Sequence, residues 1–132
     1  MTLPGPAPAA GYTPSVNVIL HIAYRAQWLR GQAEGAYRAE SLATQGFIHS
    51  SRPHQLLQVA NALFRGQRDL VLLYIDPQAV GAEIKYETPP GSQEAFPHIY
   101  GPLNTNAVIK VADFLPGDDG LFTLPADIAP PE

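Results

Sequence analysis

The chain contains no cysteine. Disulfides, thiolate nucleophiles and thiolate metal ligands are therefore excluded, as suits a cytosolic protein. Positive charge is scarce: eight Lys and Arg stand against twelve Asp and Glu, for a formal net charge of −4. That balance argues against general nucleic-acid binding, which needs a basic face. Six of the eight cations are arginines (Arg25, Arg30, Arg38, Arg52, Arg65 and Arg68), so a local anion pocket stays open. No apolar stretch approaches the ~20 residues needed to span a bilayer, and no basic segment precedes an apolar run at the N-terminus. A soluble, cytoplasmic protein without membrane partners is expected. At 132 residues it reads as one domain with a hydrophobic core.

Residues 1–14 are rich in Pro, Ala and Gly without an apolar period and read as a loose tail, as do residues 126–132. The folded unit is expected over 15–125. Val16 to Ile22 reads as a first, buried strand ending near His21. A helix is expected over Ala26 to Glu34, with Trp28, Leu29 and Ala33 on one side and Gly35 as its stop. Gly46 reads as the end of a short helical turn, and Phe47-Ile48 as the start of another buried strand. His54 to Arg65 is the clearest helix. Leu56, Leu57, Val59, Ala60, Leu63 and Phe64 follow helical spacing, and Gly66 closes it. Leu70 to Ile75 is a fully apolar strand stopped by Asp76-Pro77. Strands follow at Ile84 to Glu87, within Phe96 to Asn104, at Ala107 to Phe114 and at Leu121 to Leu124. The order predicts an α+β domain with a split, largely antiparallel sheet and two main helices early in the chain. No Gly-rich phosphate loop occurs.

His21, His49 and His98 all lie near strand ends, while His54 reads as surface. Each strand-end histidine alone reads as a packed side chain. Three together, with Tyr100 and Glu87 close in strand order, define a candidate polar centre in an apolar cleft. Ser50, Ser51 and Arg52 precede Pro53, where a helix would begin. Ser50 and Ser51 read either as helix caps or, with Arg52, as part of an anion site. No metal site is expected, since no histidines pair at i, i+4 and no His/carboxylate cluster has short spacing.

Several segments together resemble the bacterial domain of unknown function 952 family, across nearly all of Val18 to Pro125. They are Leu20-His21-Ile22, Trp28, Gly35, Tyr37, Ser41-Leu42, Gly46-Phe47-Ile48-His49-Ser50-Ser51, Val59-Ala60-Asn61, Asp69 to Leu73, Tyr86-Glu87 and Phe96 to Leu103. The resemblance implies an ADP-ribosyltransferase-like fold that binds NAD across a split sheet. In that superfamily a first-strand histidine or arginine holds the adenosine-side ribose, a place that falls on His21. A second-strand polar residue packs the nicotinamide, which falls on His49 within Gly46 to Ser51. A late-strand glutamate orients the reacting ribose, but here that place holds His98 and Tyr100. Glu87, the nearest carboxylate, lies one strand earlier. The departure bears on chemistry: a glutamate stabilises an oxocarbenium-like transition state, whereas histidine and tyrosine bring no negative charge.

The resemblance thus implies a cleft for NAD or a related nucleotide or phosphorylated ligand, with NAD as a substrate and no permanently bound cofactor. His49, His98 and Tyr100 are the candidate catalytic residues, and His21, Ser50, Ser51 and Arg52 the candidate ligand-binding residues. Arg25 or Arg52 would neutralise phosphate. Two other classes stay open: a histidine acid–base enzyme acting on RNA ends or a phosphodiester, and a non-catalytic module that binds a ligand or a partner.

Overall fold

A computed structural model describes residues 18–128. The N-terminal tail expected over 1–14, the first two residues of the first expected strand and the end of the C-terminal tail lie outside the described residues. The elements are β1 (Ile19–Tyr24), α1 (Arg25–Glu34), β2 (Ala36–Tyr37), α2 (Glu40–Gln45), β3 (Ile48–His49), α3 (Leu56–Leu63), β4 (Leu70–Ile75), β5 (Glu83–Glu87), β6 (Phe96–Tyr100), β7 (Leu103–Asn104) and β8 (Val108–Phe114). Short 3-10 turns lie at Pro53–Gln55, Pro77–Ala79 and Thr105–Ala107. Every strand pairing is antiparallel. This is the expected α+β class.

Two three-stranded sheets carry the fold, ordered β1-β4-β8 and β3-β6-β5, with β2 and β7 forming a small two-stranded pair. The larger sheets meet at one bridge: Leu20 and Ser51 exchange both backbone hydrogen bonds at 2.8 Å. Beyond that bridge β1 and β3 part, and the opening between them becomes the cleft described below.

The continuous apolar run of β4 is explained by burial on both faces. Leu70, Leu72 and Tyr74 join Leu20, Ile22, Leu56 and Ala60 in one core. Val71, Leu73 and Ile75 join Trp28, Tyr37, Ile48 and Ile99 in the other. Each fully buried aliphatic side chain contributes about 2 kcal/mol, so β4 is the central support of the domain.

α1 approaches β2 more closely than any residue but glycine allows at Gly31, where an added Cβ would sit 2.7 Å from Tyr37 Cα. That contact presents Trp28 and Gly31 to the core, while Leu29 is 54% exposed. The expected apolar side of this helix therefore includes Trp28 but not Leu29 or Ala33. At the end of α2, Gly46 adopts φ 91° and its N–H bonds to the carbonyls of Ser41 and Leu42. This is the left-handed cap predicted from the sequence.

Several expectations shift. The helix read over His54 to Arg65 starts as a 3-10 turn and is α-helical only over Leu56–Leu63. No strand forms at Leu121 to Leu124. The tail expected to begin at Ala126 is anchored at its start: Ile128 is buried, and the Asp127 carboxylate accepts hydrogen bonds from Tyr74 Oη at 2.7 Å and from Lys110. β2 is too short to be read from a two-residue periodicity and exists because it pairs with β7.

Candidate functional site

A mostly apolar cleft of about 340 Å³ opens between β1, the β3–β6 wall and α3. His21, His49 and His98, the three histidines singled out in the sequence, all line it, as do Ser50 and Ser51. Leu20, Ile22, Val59, Phe64 and Phe96 supply its apolar walls, and Leu63, 69% exposed, stands at its mouth. Leu63, which the helical spacing assigns to the core, thus serves the cleft instead.

Strand register brings the polar residues together. On β3 and β6, His49 pairs with His98 and Ile48 with Ile99. Side chains alternate across a strand, so Ile48 and Ile99 enter the core while His49 and His98 face the other way. The next pair, Ser50 with Pro97, would leave a ladder bond missing because proline has no N–H. Ser50 compensates locally: its N–H donates to the Pro97 carbonyl at 3.1 Å and its hydroxyl donates to the same oxygen at 2.7 Å. Ser50 is therefore held in the sheet, neither capping the helix nor free for an anion. Ser51 carries the bridge to Leu20 with its backbone. Its buried side chain has no hydrogen-bond partner among the described residues.

His21 fills the split. Its Nδ1–H donates to the His49 carbonyl at 2.5 Å, and its Nε2 accepts from Tyr37 Oη at 2.8 Å. A carbonyl can only accept, so this assigns the neutral Nδ1–H tautomer. Burial lowers the His21 pKa to about 4, because the charged form would lose its hydration. Burial likewise raises the Tyr37 phenol. Trp28 packs tilted against Tyr37 with ring centroids 6.1 Å apart, which ties the split to α1.

His98 is built differently. It is buried, and its Nδ1 lies 2.7 Å from Glu87 Oε1. Tyr100 Oη donates to the same carboxylate oxygen at 2.7 Å. Glu87 thus lies on β5, the neighbour of β6, and reaches across to both residues. The two donors hold its carboxyl below the usual carboxylate range, the Tyr100 bond contributing most. The same bond raises the Tyr100 phenol. Phe47 stacks on the His98 ring at 4.1 Å and 18°. His49 meets His98 edge-on, with centroids 5.3 Å apart and an 82° interplanar angle. His49 is exposed on its outer side and its Nε2 lies 3.1 Å from Gln45 Oε1. Loss of hydration on its inner side lowers its pKa, and the neighbouring His98 adds to the shift.

Three sequence-derived candidates lie off the cleft wall. Tyr100 touches Glu87 rather than lining the cavity. Arg52 points its guanidinium at the Ala95 carbonyl, 3.1 Å away, while its Nε is buried without a partner. Arg25, the other candidate for phosphate, pairs with Asp113 at 2.6 Å. Neither arginine lines the cleft. The expected helix start near Arg52 is closed from within: buried Gln55 accepts from the Arg52 N–H at 2.9 Å and donates to Glu94 and Ala95. His54 is exposed, as expected, with Nε2 3.1 Å from Glu94. Among the described residues there is no group of three or more His, Asp or Glu placed to hold a metal. No helix among them is long and apolar enough to cross a membrane.

Sequence reasoning did not name Phe47, Tyr37 or Gln45 as parts of the site. Phe47 read as the start of a buried strand, and the tertiary placement of the histidines makes Phe47 and Tyr37 ring supports.

The molecule is thus an antiparallel α+β domain with a histidine-walled cleft at the junction of two sheets. The family model described as protein of unknown function (DUF952) matches residues 22–111, and the chain belongs to that family. The crystal structure of protein CC0527 from Caulobacter crescentus is similar, with 35% sequence identity and a TM-score of 0.74, covering 81% of this chain and 94% of that one. The solution NMR structure of CC0527 is also similar, at 34% identity and TM-score 0.72 over 83% and 94% of the two chains. No curated protein matches the chain.

Proposed function

We propose that the cleft binds NAD or a related nucleotide-like ligand, in the manner of an ADP-ribosyltransferase-like split sheet. The observation that carries this reading is the polar wall. His98 Nε2 and Ser51 Oγ belong to buried residues lining an apolar cavity, and neither atom has a partner among the described residues. Neither is a sealed-off atom, since Arg52 Nε is the only buried side-chain polar atom without a partner among the described residues; both are open to whatever fills the cleft and can hydrogen-bond a ligand there. The apolar and aromatic walls suit a planar base and a ribose.

The same lining limits how a nucleotide sits. It contains no lysine or arginine, and Glu40 is at its rim. The base and one ribose therefore occupy the cleft, while the phosphates stay outside in water. Glu87 does not line the cavity, so any contact with a ribose hydroxyl passes through His98 or Ser51. Glycosyl transfer is the activity such placement favours.

The paired imidazoles of His49 and His98 favour a second reading, acid–base cleavage of a phosphodiester. The cation-free lining counts against a phosphate beside them.

A histidine-resolved NMR titration with NAD, ADP-ribose and nicotinamide tests the proposal. Shifts are expected at His98 and His49, with His54 unmoved. Ser51→Ala is expected to weaken binding about tenfold, the loss of a single buried hydrogen bond. Absence of any histidine response at millimolar ligand would defeat the reading. Product formed from a phosphodiester without NAD would favour the second.

A further inference from the structure

We infer that His98 is a general base for water in this cleft, aimed by Glu87, so that the site hydrolyses an N-glycosidic ligand instead of only holding it. This inference rests on the nucleotide-binding reading above.

The Glu87 carboxylate, held ionised by two donors, can only accept. His98 Nδ1 therefore carries the proton, and in the neutral ring Nε2 carries the lone pair. Nε2 is the nitrogen with no protein partner, and His98 lines the cleft. The ring has little freedom to turn away. Phe47 stacks on one face, His49 abuts it edge-on, and the carboxylate that holds Nδ1 is itself fixed by Tyr100. A base oriented by a second group, which a third group holds in turn, is the arrangement that activates a nucleophile in enzymes. A purely structural histidine in the same cleft looks different: His21 has both nitrogens engaged by protein.

The chemistry balances without further reactants. As the C–N glycosidic bond breaks, its electron pair leaves with the heterocycle. The water oxygen bonds to the anomeric carbon, and the water proton passes to His98 Nε2, later to be lost to solvent. With NAD the products are nicotinamide, ADP-ribose and one proton. His98 is the catalytic residue; Glu87 acts through it and is a positioning residue.

The experiment measures nicotinamide and proton release from NAD by the full chain, by Glu87→Gln and by His98→Gln, with His54→Gln as an outside control. NAD affinity is measured on the same samples. Glu87→Gln keeps the half-exposed site intact if the buried His98 variant fails to fold. Nicotinamide release by the wild type, reduced about 10²-fold in Glu87→Gln with affinity unchanged, supports the inference. A long-range ¹H–¹⁵N spectrum adds a readout that a structural role would not move: His98 is expected as the Nδ1–H tautomer, and to lose that preference in Glu87→Gln. NAD bound at wild-type affinity but never hydrolysed would overturn the inference and leave the binding reading standing. Undiminished turnover in Glu87→Gln would likewise overturn the assignment of roles. Failure of NAD to bind at all would remove both.

Discussion

His21 and His98 stand on two walls of one cleft, are buried to nearly the same degree (7% and 5% exposed), and serve opposite ends. The β1 wall is closed. His21 bonds to the His49 carbonyl on one side and the Tyr37 hydroxyl on the other, and so joins two sheets that share a single bridge among the described residues. The β6 wall is half open, since Glu87 takes one nitrogen of His98 and nothing among the described residues takes the other. Burial therefore does not separate a histidine closed off by protein from one open to the cleft. Counting the partners of each nitrogen does.

The sharpest way to break the comparison is to remove each ring. His21→Leu leaves the Tyr37 hydroxyl and the His49 carbonyl unpaired at the sheet junction, and is expected to cost ~3 kcal/mol in denaturant unfolding. His98→Gln is expected to cost only ~1 kcal/mol, because the carboxylate it abandons can turn to water. Equal losses would mean that His98 is as structural as His21.

Acid sharpens the contrast next. The His21 pKa is about 4 in the folded chain and near 6.5 when unfolded, so below pH 6.5 the unfolded state binds the extra proton. Stability supplied by the neutral ring is complete above pH 6.5 and falls as the pH drops toward 4, by ~3 kcal/mol at pH 4. Urea midpoints between pH 7 and pH 4 should fall more steeply for the wild type than for His21→Leu. Parallel slopes would show that His21 is not the group being protonated.

The smallest effect is expected at Glu87. Its half-exposed carboxylate adds little to folding, so Glu87→Gln should leave the unfolding midpoint unchanged while altering the state of the His98 ring. A large drop in the midpoint would move Glu87 from the chemical wall to the structural one.

Much of the fold was legible in the residues because it rests on local rules. The six-residue apolar run of β4, the glycines that end α1 and α2, and the apolar spacing of α3 each report a period or a backbone constraint that acts within one element. The misreadings have one cause as well. Leu29 and Leu63 obey helical spacing yet face solvent and the cleft mouth, because Trp28 and Gly31 on one helix and Leu56 and Ala60 on the other form the buried faces. Asp127 and Ile128 lie in a segment with no period, and are fixed by Tyr74, Lys110 and a core many residues away.

For the site, the sequence alone determined which residues could do chemistry: with cysteine absent and cations few, the strand-end histidines were the remaining candidates. Only the tertiary structure decided what each one touches. The register of β3 with β6 set His49 against His98, the pairing of β5 with β6 brought Glu87 to His98, and the parting of β1 from β3 closed both nitrogens of His21. Those contacts join residues from 11 positions apart (Glu87 and His98) to 49 apart (His49 and His98). No local pattern encodes them, because hydrogen-bond valence is filled by whichever strand packs alongside.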